Sequence, residues 1–116
     1  MNVLITYQTE IERLGIQAII KEHQQDSIIR YAENLVSLYD NMITEDLDLL
    51  IVDGDMFEQN QLKKFVTKDS KNSKVIVLSE FKSAYCQKNF LFPYNNGIFL
   101  PKASSKAKIM ETLRFL

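Results

Sequence analysis

An aspartate that directly follows an apolar run is the residue best placed to do chemistry in this sequence. Asp53 comes after Leu49-Leu50-Ile51-Val52 and is followed by Gly54. A continuous apolar run of this length is typical of a strand that is buried on both faces of a parallel sheet. Because open α/β sheets carry their sites at the carboxyl ends of such strands, Asp53 is the first candidate for a functional carboxylate.

Polar residues also follow the other apolar runs of the chain. Ser79 lies at the end of one run, and Lys102 follows another after a proline. After the first run, where a further acid would assist Asp53, the chain has Tyr7 and Gln8 instead.

Composition places few limits on function. The chain has 116 residues, of which 46% are hydrophobic and 25% are charged, values that are ordinary for a globular protein. The 14 lysine and arginine residues nearly balance the 15 aspartate and glutamate residues, so net charge gives no argument for binding nucleic acid or an anionic membrane. No apolar run approaches the roughly 20 residues that span a bilayer. With one cysteine no internal disulfide can form, and we expect a cytoplasmic location.

Patterns with helical spacing lie between the apolar runs. Thr9 and Glu12 have the spacing of a capping box, which predicts the start of a helix. Ser105 is predicted to cap the final helix. The residues expected to face inward from the successive helices are Ile11, Leu14, Gly15, Ala18 and Ile19, then Leu35, Leu38, Tyr39, Met42 and Ile43, then Leu62, Phe65 and Val66, then Phe81, Ala84 and Tyr85, and finally Ile109, Leu113 and Leu116.

The strand and helix patterns alternate five times along the chain. Such alternation predicts an α/β fold with a five-stranded parallel sheet and helices on both faces. The strands near residues 4, 51, 77 and 99 are expected to be buried, whereas the strand within 27–32 is expected to be more exposed. Residues 68–73 are expected to form a loop, and residues 1–116 are expected to form a single domain.

Three segments carry a resemblance to a known family. Residues 48–56, Asp-Leu-Leu-Ile-Val-Asp-Gly-Asp-Met, resemble a phosphoacceptor segment, with an apolar strand, an aspartate and a methionine three residues later. Residues 74–79 resemble a strand that ends in a switch serine or threonine, and residues 99–104 resemble a strand that carries a switch aromatic and a signature lysine. The chain therefore resembles a receiver domain of two-component response regulators, of the LuxR/NarL type, over essentially its whole length.

The resemblance implies a (βα)5 flavodoxin-like receiver fold and roles for particular residues. Asp53 would accept a phosphoryl group from a histidine kinase, Ser79 and Phe99 would be switch residues, and Lys102 would be the signature lysine. Mg²⁺ would be held by Asp53, by the backbone carbonyl of Asp55 and by an acid after the first strand. Alternatively, Ser79 bonds to the backbone and Phe99 belongs to the hydrophobic core.

The main departure from the family pattern lies after the first strand. The family has two acidic residues there, whereas this chain has Tyr7 and Gln8. Gln8 offers only a neutral amide oxygen, so we expect no metal site, and Lys102 is expected to form a direct ion pair with Asp53. Tyr7 either fills the place of the metal or lines a small pocket for another ligand.

These expectations favour an atypical receiver domain that acts as a signalling and dimerisation module of a transcriptional regulator, without enzymatic activity or cofactor. A second copy is the expected partner, and the aromatic segment 90–94 either joins an interface or packs beneath a shortened helix. DNA would be bound only through a C-terminal helix-turn-helix domain that is absent from this chain, and no membrane contact is expected.

One alternative is a working, Mg²⁺-dependent phosphoacceptor at Asp53 served by a histidine kinase. Another is a flavodoxin-like ligand-binding or enzymatic domain, which is disfavoured because residues 6–10 contain no glycine.

Overall fold

The computed structural model describes residues 1–6, 9–80 and 92–116. The predicted helix around Phe81, Ala84 and Tyr85 lies outside the described residues. The strands are β1 (Asn2–Thr6), β2 (Ile28–Ala32), β3 (Leu49–Asp53), β4 (Lys74–Ser79) and β5 (Gly97–Pro101). The described helices are α1 (Glu10–His23), α2 (Leu35–Thr44), α3 (Gln59–Lys64), which continues into a π-helical turn over Phe65–Asp69, and α4 (Lys106–Phe115).

The five strands form one parallel sheet in the order β2-β1-β3-β4-β5. β3 lies at the centre, and all five of its residues are buried. The registers pair Leu50 with Leu4 of β1 and with Val75 of β4. The predicted five-stranded parallel α/β sheet is therefore confirmed, and its carboxyl edge brings together the ends of β1, β3, β4 and β5.

Apolar side chains on the two faces of the sheet form two separate clusters. Alternation along β3 divides its residues between them, because successive side chains of a strand point to opposite faces. One cluster joins Leu50 and Val52 to residues of α2 and α3. The other joins Leu49 and Ile51 to residues of α1 and α4. Helices therefore cover both faces, as predicted.

The predicted inward face of α1 is wrong except at Ile19. Ile11 is 84% exposed, and Leu14, Gly15 and Ala18 are exposed as well. The face that meets the sheet carries Ile16 and Ile20 beside Ile19, and of these only Ile20 is fully buried. The start of α1 is as predicted, because the Thr9 hydroxyl accepts a hydrogen bond from the Glu12 backbone N–H at 3.1 Å.

Arg13 of α1 lies on the same side of the helix as the residues that meet the sheet. The Arg13 guanidinium lies 4.8 Å from the centre of the Tyr31 ring on β2. Arg13 shares a helical stripe with Ile16 and Ile20, since residues three and four apart are neighbours on a helix. The cation–π contact therefore lies on the same side of α1 as the apolar residues that meet the sheet, whereas Ile11 faces solvent.

The other inward-facing predictions hold with two corrections. Ile43 is 82% exposed rather than buried, because α2 packs through Leu38 with Leu35 and Met42 beside it. β5 is an edge strand, so Ile98 is exposed and Phe99 is only half-buried.

Among the described residues, the expected loop is also shorter than predicted. The π-helical turn extends through Asp69, so the loop expected at 68–73 begins two residues later. Ser105 caps α4, and Ile109 and Leu113 are buried as expected. Leu62 and Phe65 are also fully buried.

Within the aromatic segment 90–94, only residues 92–94 are described. Phe92 is buried in the core, whereas Tyr94 is exposed. Among the described helices, none has the length and apolar character needed to cross a bilayer.

Candidate functional site at the carboxyl edge of the sheet

Asp53 is the last residue of β3, and backbone contacts fix its position. Its N–H donates a hydrogen bond to the Thr6 hydroxyl at the end of β1, at 2.7 Å. One carboxylate oxygen, Oδ1, accepts a hydrogen bond from the Asp55 N–H at 2.9 Å and so caps the short 3₁₀ turn Gly54–Met56. The Asp53 side chain is only 4% exposed. Thr6 was not predicted as a site residue, although a hydroxyl at the end of the first apolar run was a visible signal.

Gly54 allows the turn after Asp53 to lie against β4. A Cβ at position 54 would lie 2.8 Å from Val77 Cγ1 and 3.3 Å from Ser79 Cβ. The first distance is shorter than van der Waals contact allows, so a larger residue would push the turn away from β4. The glycine therefore keeps the end of β3 close to the end of β4.

Lys102 connects the end of β5 to this carboxylate. Its Nζ lies 3.0 Å from Asp53 Oδ1 and 3.0 Å from Asp55 Oδ2, so one ammonium bridges two carboxylates. The Lys102 N–H donates to the Ser79 carbonyl at 2.8 Å, which holds the backbone beside β4. The predicted contact between Asp53 and Lys102 is present.

The sequence reasoning missed the side chain of Asp55, for which only a backbone role was expected. Its Oδ2 accepts a hydrogen bond from the Glu80 N–H at 3.2 Å in addition to its contact with Lys102. A second carboxylate two residues after Asp53 was a visible signal, but its direction depends on the turn that Asp53 caps.

Asp53, Asp55 and Lys102 form a trio of charged groups that determines the electrostatics of the site. Burial alone would lower the pKa of Lys102, but its hydrogen bonds to the Asp55 and Asp53 carboxylates outweigh burial, and its pKa lies above the ordinary 10.5. Lys102 is therefore a firmly charged ammonium, and the trio carries one excess negative charge.

The second carboxylate oxygen of Asp53 is not satisfied within the described structure. Asp53 Oδ2 is buried and accepts no hydrogen bond from the described residues. Leaving a buried polar atom without a partner costs about 1–3 kcal/mol. The site therefore retains an unused acceptor.

Of the other predicted site residues, Ser79 lies at the edge of the sheet near Asp53, whereas Phe99 belongs to the core. Ser79 is fully buried at the end of β4, directly after Leu78, the residue that pairs with Asp53. The Phe99 ring lies 5.5 Å from the Phe92 ring and packs against the core cluster. Tyr7 and Gln8 lie outside the described residues.

Comparison with known proteins rests on solved structures alone, because no protein-family model and no curated protein matches the sequence. RcsB from Salmonella enterica serovar Typhimurium, bound to the promoter rprA with phosphomimetic BeF3⁻, matches with a TM-score of 0.79 and 21% identity over 100% of this chain and 67% of that chain. The response regulatory domain of MrkE from Klebsiella pneumoniae matches with a TM-score of 0.78 and 13% identity, covering 100% and 94%. A second RcsB structure, with two dimers bound to two parallel DNAs, matches with a TM-score of 0.79 and 19% identity, covering 98% and 59%.

This chain has the receiver fold. The identities are low, so the similarity establishes the fold, and the roles of individual residues remain predictions. Within the receiver fold, the expected phosphoacceptor Asp53, switch residue Ser79 and signature residue Lys102 lie at one edge of the sheet.

Mg²⁺, which the receiver fold implies, fits poorly to the described residues. Mg²⁺ requires near-octahedral oxygen coordination, and it is usually bound through one or two carboxylates with several waters. Asp53 and Asp55 are the carboxylates that contact Lys102 at the end of β3. The Lys102 Nζ already lies 3.0 Å from one oxygen of each. The described residues contain no group of three acidic, histidine or cysteine side chains that could hold a metal. A metal ion between Asp53 Oδ1 and Asp55 Oδ2 would have to displace the ammonium, and Asp53 Oδ2 alone offers it a single ligand.

Proposed function

We propose that this receiver-fold chain is an atypical signalling and dimerisation module of a transcriptional regulator, and that it works without Mg²⁺-dependent phosphorylation. The observation that carries the proposal is the position of Lys102, whose ammonium bridges Asp53 and Asp55. A second observation, from the sequence, is that Tyr7 and Gln8 occupy the positions where the family has acidic residues. In this proposal the chain is cytoplasmic and has no enzymatic activity of its own.

Charge neutralisation is the physical basis of the proposal. Phosphoryl transfer requires positive charge around the transferred group, and a metal ion normally supplies part of it. At this site the single ammonium is already shared between two carboxylates. A phosphoryl group on Asp53 would add negative charge to a trio that already carries an excess of it. The resting arrangement therefore favours an unmodified Asp53.

Dimerisation is supported by exposed apolar side chains at two places. Ile11 and Leu14 are exposed on α1, and Ile98 and Phe115 are exposed on β5 and α4. Exposed apolar groups of this kind mark interaction surfaces when they are adjacent. RcsB forms dimers on DNA, and by analogy we propose a homodimer that reaches DNA through a further domain.

One experiment separates this proposal from its alternative, a working phosphoacceptor at Asp53. The alternative is favoured by the presence of Asp53, Ser79 and Lys102 at one edge of the sheet. The protein is incubated with acetyl phosphate and Mg²⁺, and intact mass and sedimentation are then measured. We expect no mass gain and an unchanged oligomeric state.

A stoichiometric gain of one phosphoryl group would favour the alternative, provided that the gain is lost in Asp53→Asn. Asp26→Asn is the matched control, because Asp26 is exposed in a turn. A gain that persists in Asp53→Asn would lie at other residues and would leave the proposal standing.

A further inference from the structure

A half-open cavity of about 490 Å³ lies beside Asp53. α1, α4 and the ends of β4 and β5 contribute to its walls. This volume falls within the range of small-molecule sites in proteins. Its apolar wall is formed mainly by Ile16, Ile19, Leu78 and Ile109.

The polar end of the cavity has an unused acceptor. Asp53 lines the cavity with a side chain that is 4% exposed. Its Oδ1 is engaged by Lys102 and by the Asp55 N–H, whereas its buried Oδ2 accepts no hydrogen bond from the described residues. Because Oδ2 is buried, a ligand donor would reach it only when the groups that cover it move aside, while the ion pair through Oδ1 can remain.

The charge of the cavity selects the sign of that donor. Glu12 and Glu80 line it together with Asp53, and the only cation among the described lining residues is Lys102. Lys102 is already shared with Asp55. The excess of carboxylates disfavours an anionic head group, and a hydrogen bond between an ammonium and a carboxylate is about twice as strong as a neutral one.

We propose that this cavity binds a small amphipathic amine. Its ammonium donates to Asp53 Oδ2, and its apolar body lies between Ile16 of α1 and Ile109 of α4. This inference rests on the proposed function in one respect, since Asp53 must be unphosphorylated for Oδ2 to accept the donor. A bound amine would then be the signal that the module senses in place of a phosphoryl group.

The test uses three probes that share a phenyl body and differ in the head group: 2-phenylethylamine, 2-phenylethanol and 3-phenylpropanoate. Each is titrated into the ¹⁵N-labelled full chain and followed by amide chemical shifts. We expect saturable shifts at Ile16, Leu78 and Asp53 for the amine. The alcohol should bind at least about tenfold more weakly, and the carboxylate should not bind.

Matched variants test which residues contact the ammonium of the ligand and which contact its apolar body. Asp53→Asn, which keeps the shape of the side chain, should weaken the amine about tenfold and leave the alcohol unchanged. Ile16→Ala should weaken both probes, with Ile16→Val used if the alanine variant does not fold. Ile11→Ala should change neither, because Ile11 is exposed on the same helix and does not line the cavity.

Three results would overturn the inference: no amine binding, equal binding of all three probes, or unchanged amine affinity in Asp53→Asn. The binding titration uses protein that intact mass shows to be unmodified. A failure to bind the amine therefore counts against this inference alone, whereas a phosphoryl gain counts against the proposed function.

Discussion

The two ends of β3 bury side chains of opposite character. Leu50 is fully buried and lies in a cluster of apolar side chains from both flanking strands and from α2 and α3. Asp53, three residues later, is almost as buried but lies against a lysine, a second carboxylate and a backbone N–H. The apolar end is stabilised by transfer from water. The charged end must compensate for desolvation, and it leaves one carboxylate oxygen without a partner among the described residues.

This difference separates an end of β3 that contributes to stability from the end at which we propose a functional site. A buried apolar cluster contributes to folding directly, whereas a buried ion pair contributes little on balance and is costly to break. The carboxyl ends of central strands are where open α/β sheets carry binding and catalytic sites, and a buried ion pair at that position fits such a site.

The largest effect is expected at the apolar end. Leu50→Ala should lower the free energy of unfolding by about 3 kcal/mol, because it leaves a cavity between β1 and β4. Chemical denaturation measures this loss. A loss below about 1 kcal/mol would mean that the centre of the sheet is not the main source of stability.

At the charged end, the largest effect is expected from removing the cation. Lys102→Met should lower the free energy of unfolding by about 2 kcal/mol, since two carboxylates then lie together without compensation. This expected loss is smaller than the loss for breaking a fully buried ion pair, because the Lys102 side chain is 19% exposed. Adding Asp53→Asn to this variant should restore about half of the loss, as measured in a double-mutant cycle. An additive double variant would contradict the coupling of the two residues.

Alkaline pH should weaken the charged end and leave the apolar end unchanged. The pKa of Lys102 is raised above 10.5 in the folded protein, so its contribution is fully present below 10.5 and is lost as pH rises through the raised value. The stability difference between wild type and Lys102→Met should therefore narrow above about pH 10.5. Denaturation of both proteins over this range measures the difference, because contributions from groups that the two proteins share cancel in the comparison. A constant difference would contradict the assigned role of Lys102.

The smallest effect is expected for Asp53→Asn alone. The amide keeps an oxygen for the Asp55 N–H, and Lys102 keeps its contact with Asp55. Because Lys102 stays paired with Asp55, no buried charge is left without a partner, and stability should change by less than about 1 kcal/mol. A loss comparable to that of Leu50→Ala would show that Asp53 is a structural residue. Thermal unfolding with circular dichroism is sufficient to tell the two results apart.

Burial patterns explain what could be predicted from the sequence. The uninterrupted apolar run before Asp53 predicted a central strand, because only burial on both faces accounts for it. The caps at Thr9 and Ser105 were also predictable, since capping depends on a few adjacent residues. The contact between Asp53 and Lys102 followed from the resemblance to receiver domains.

Tertiary contacts explain what could not be predicted. α1 carries two apolar stripes, one with Ile11 and Leu14 and one with Ile16 and Ile20, and the sequence alone does not show which one meets the sheet. The site role of the Asp55 side chain depends on the turn after β3, which local pattern did not specify. The edge position of β5 likewise depends on the strand order of the whole sheet.

We propose that Lys102, rather than a metal ion, neutralises the carboxylates at the end of β3. A titration of the ¹⁵N-labelled protein with Mg²⁺, followed at the amides of Asp53, Asp55 and Lys102, tests it most directly. We predict no saturable shift in the wild type, and a saturable shift in Lys102→Met, where the ammonium no longer bridges the two carboxylates. A saturable shift at these amides in the wild type would contradict the claim.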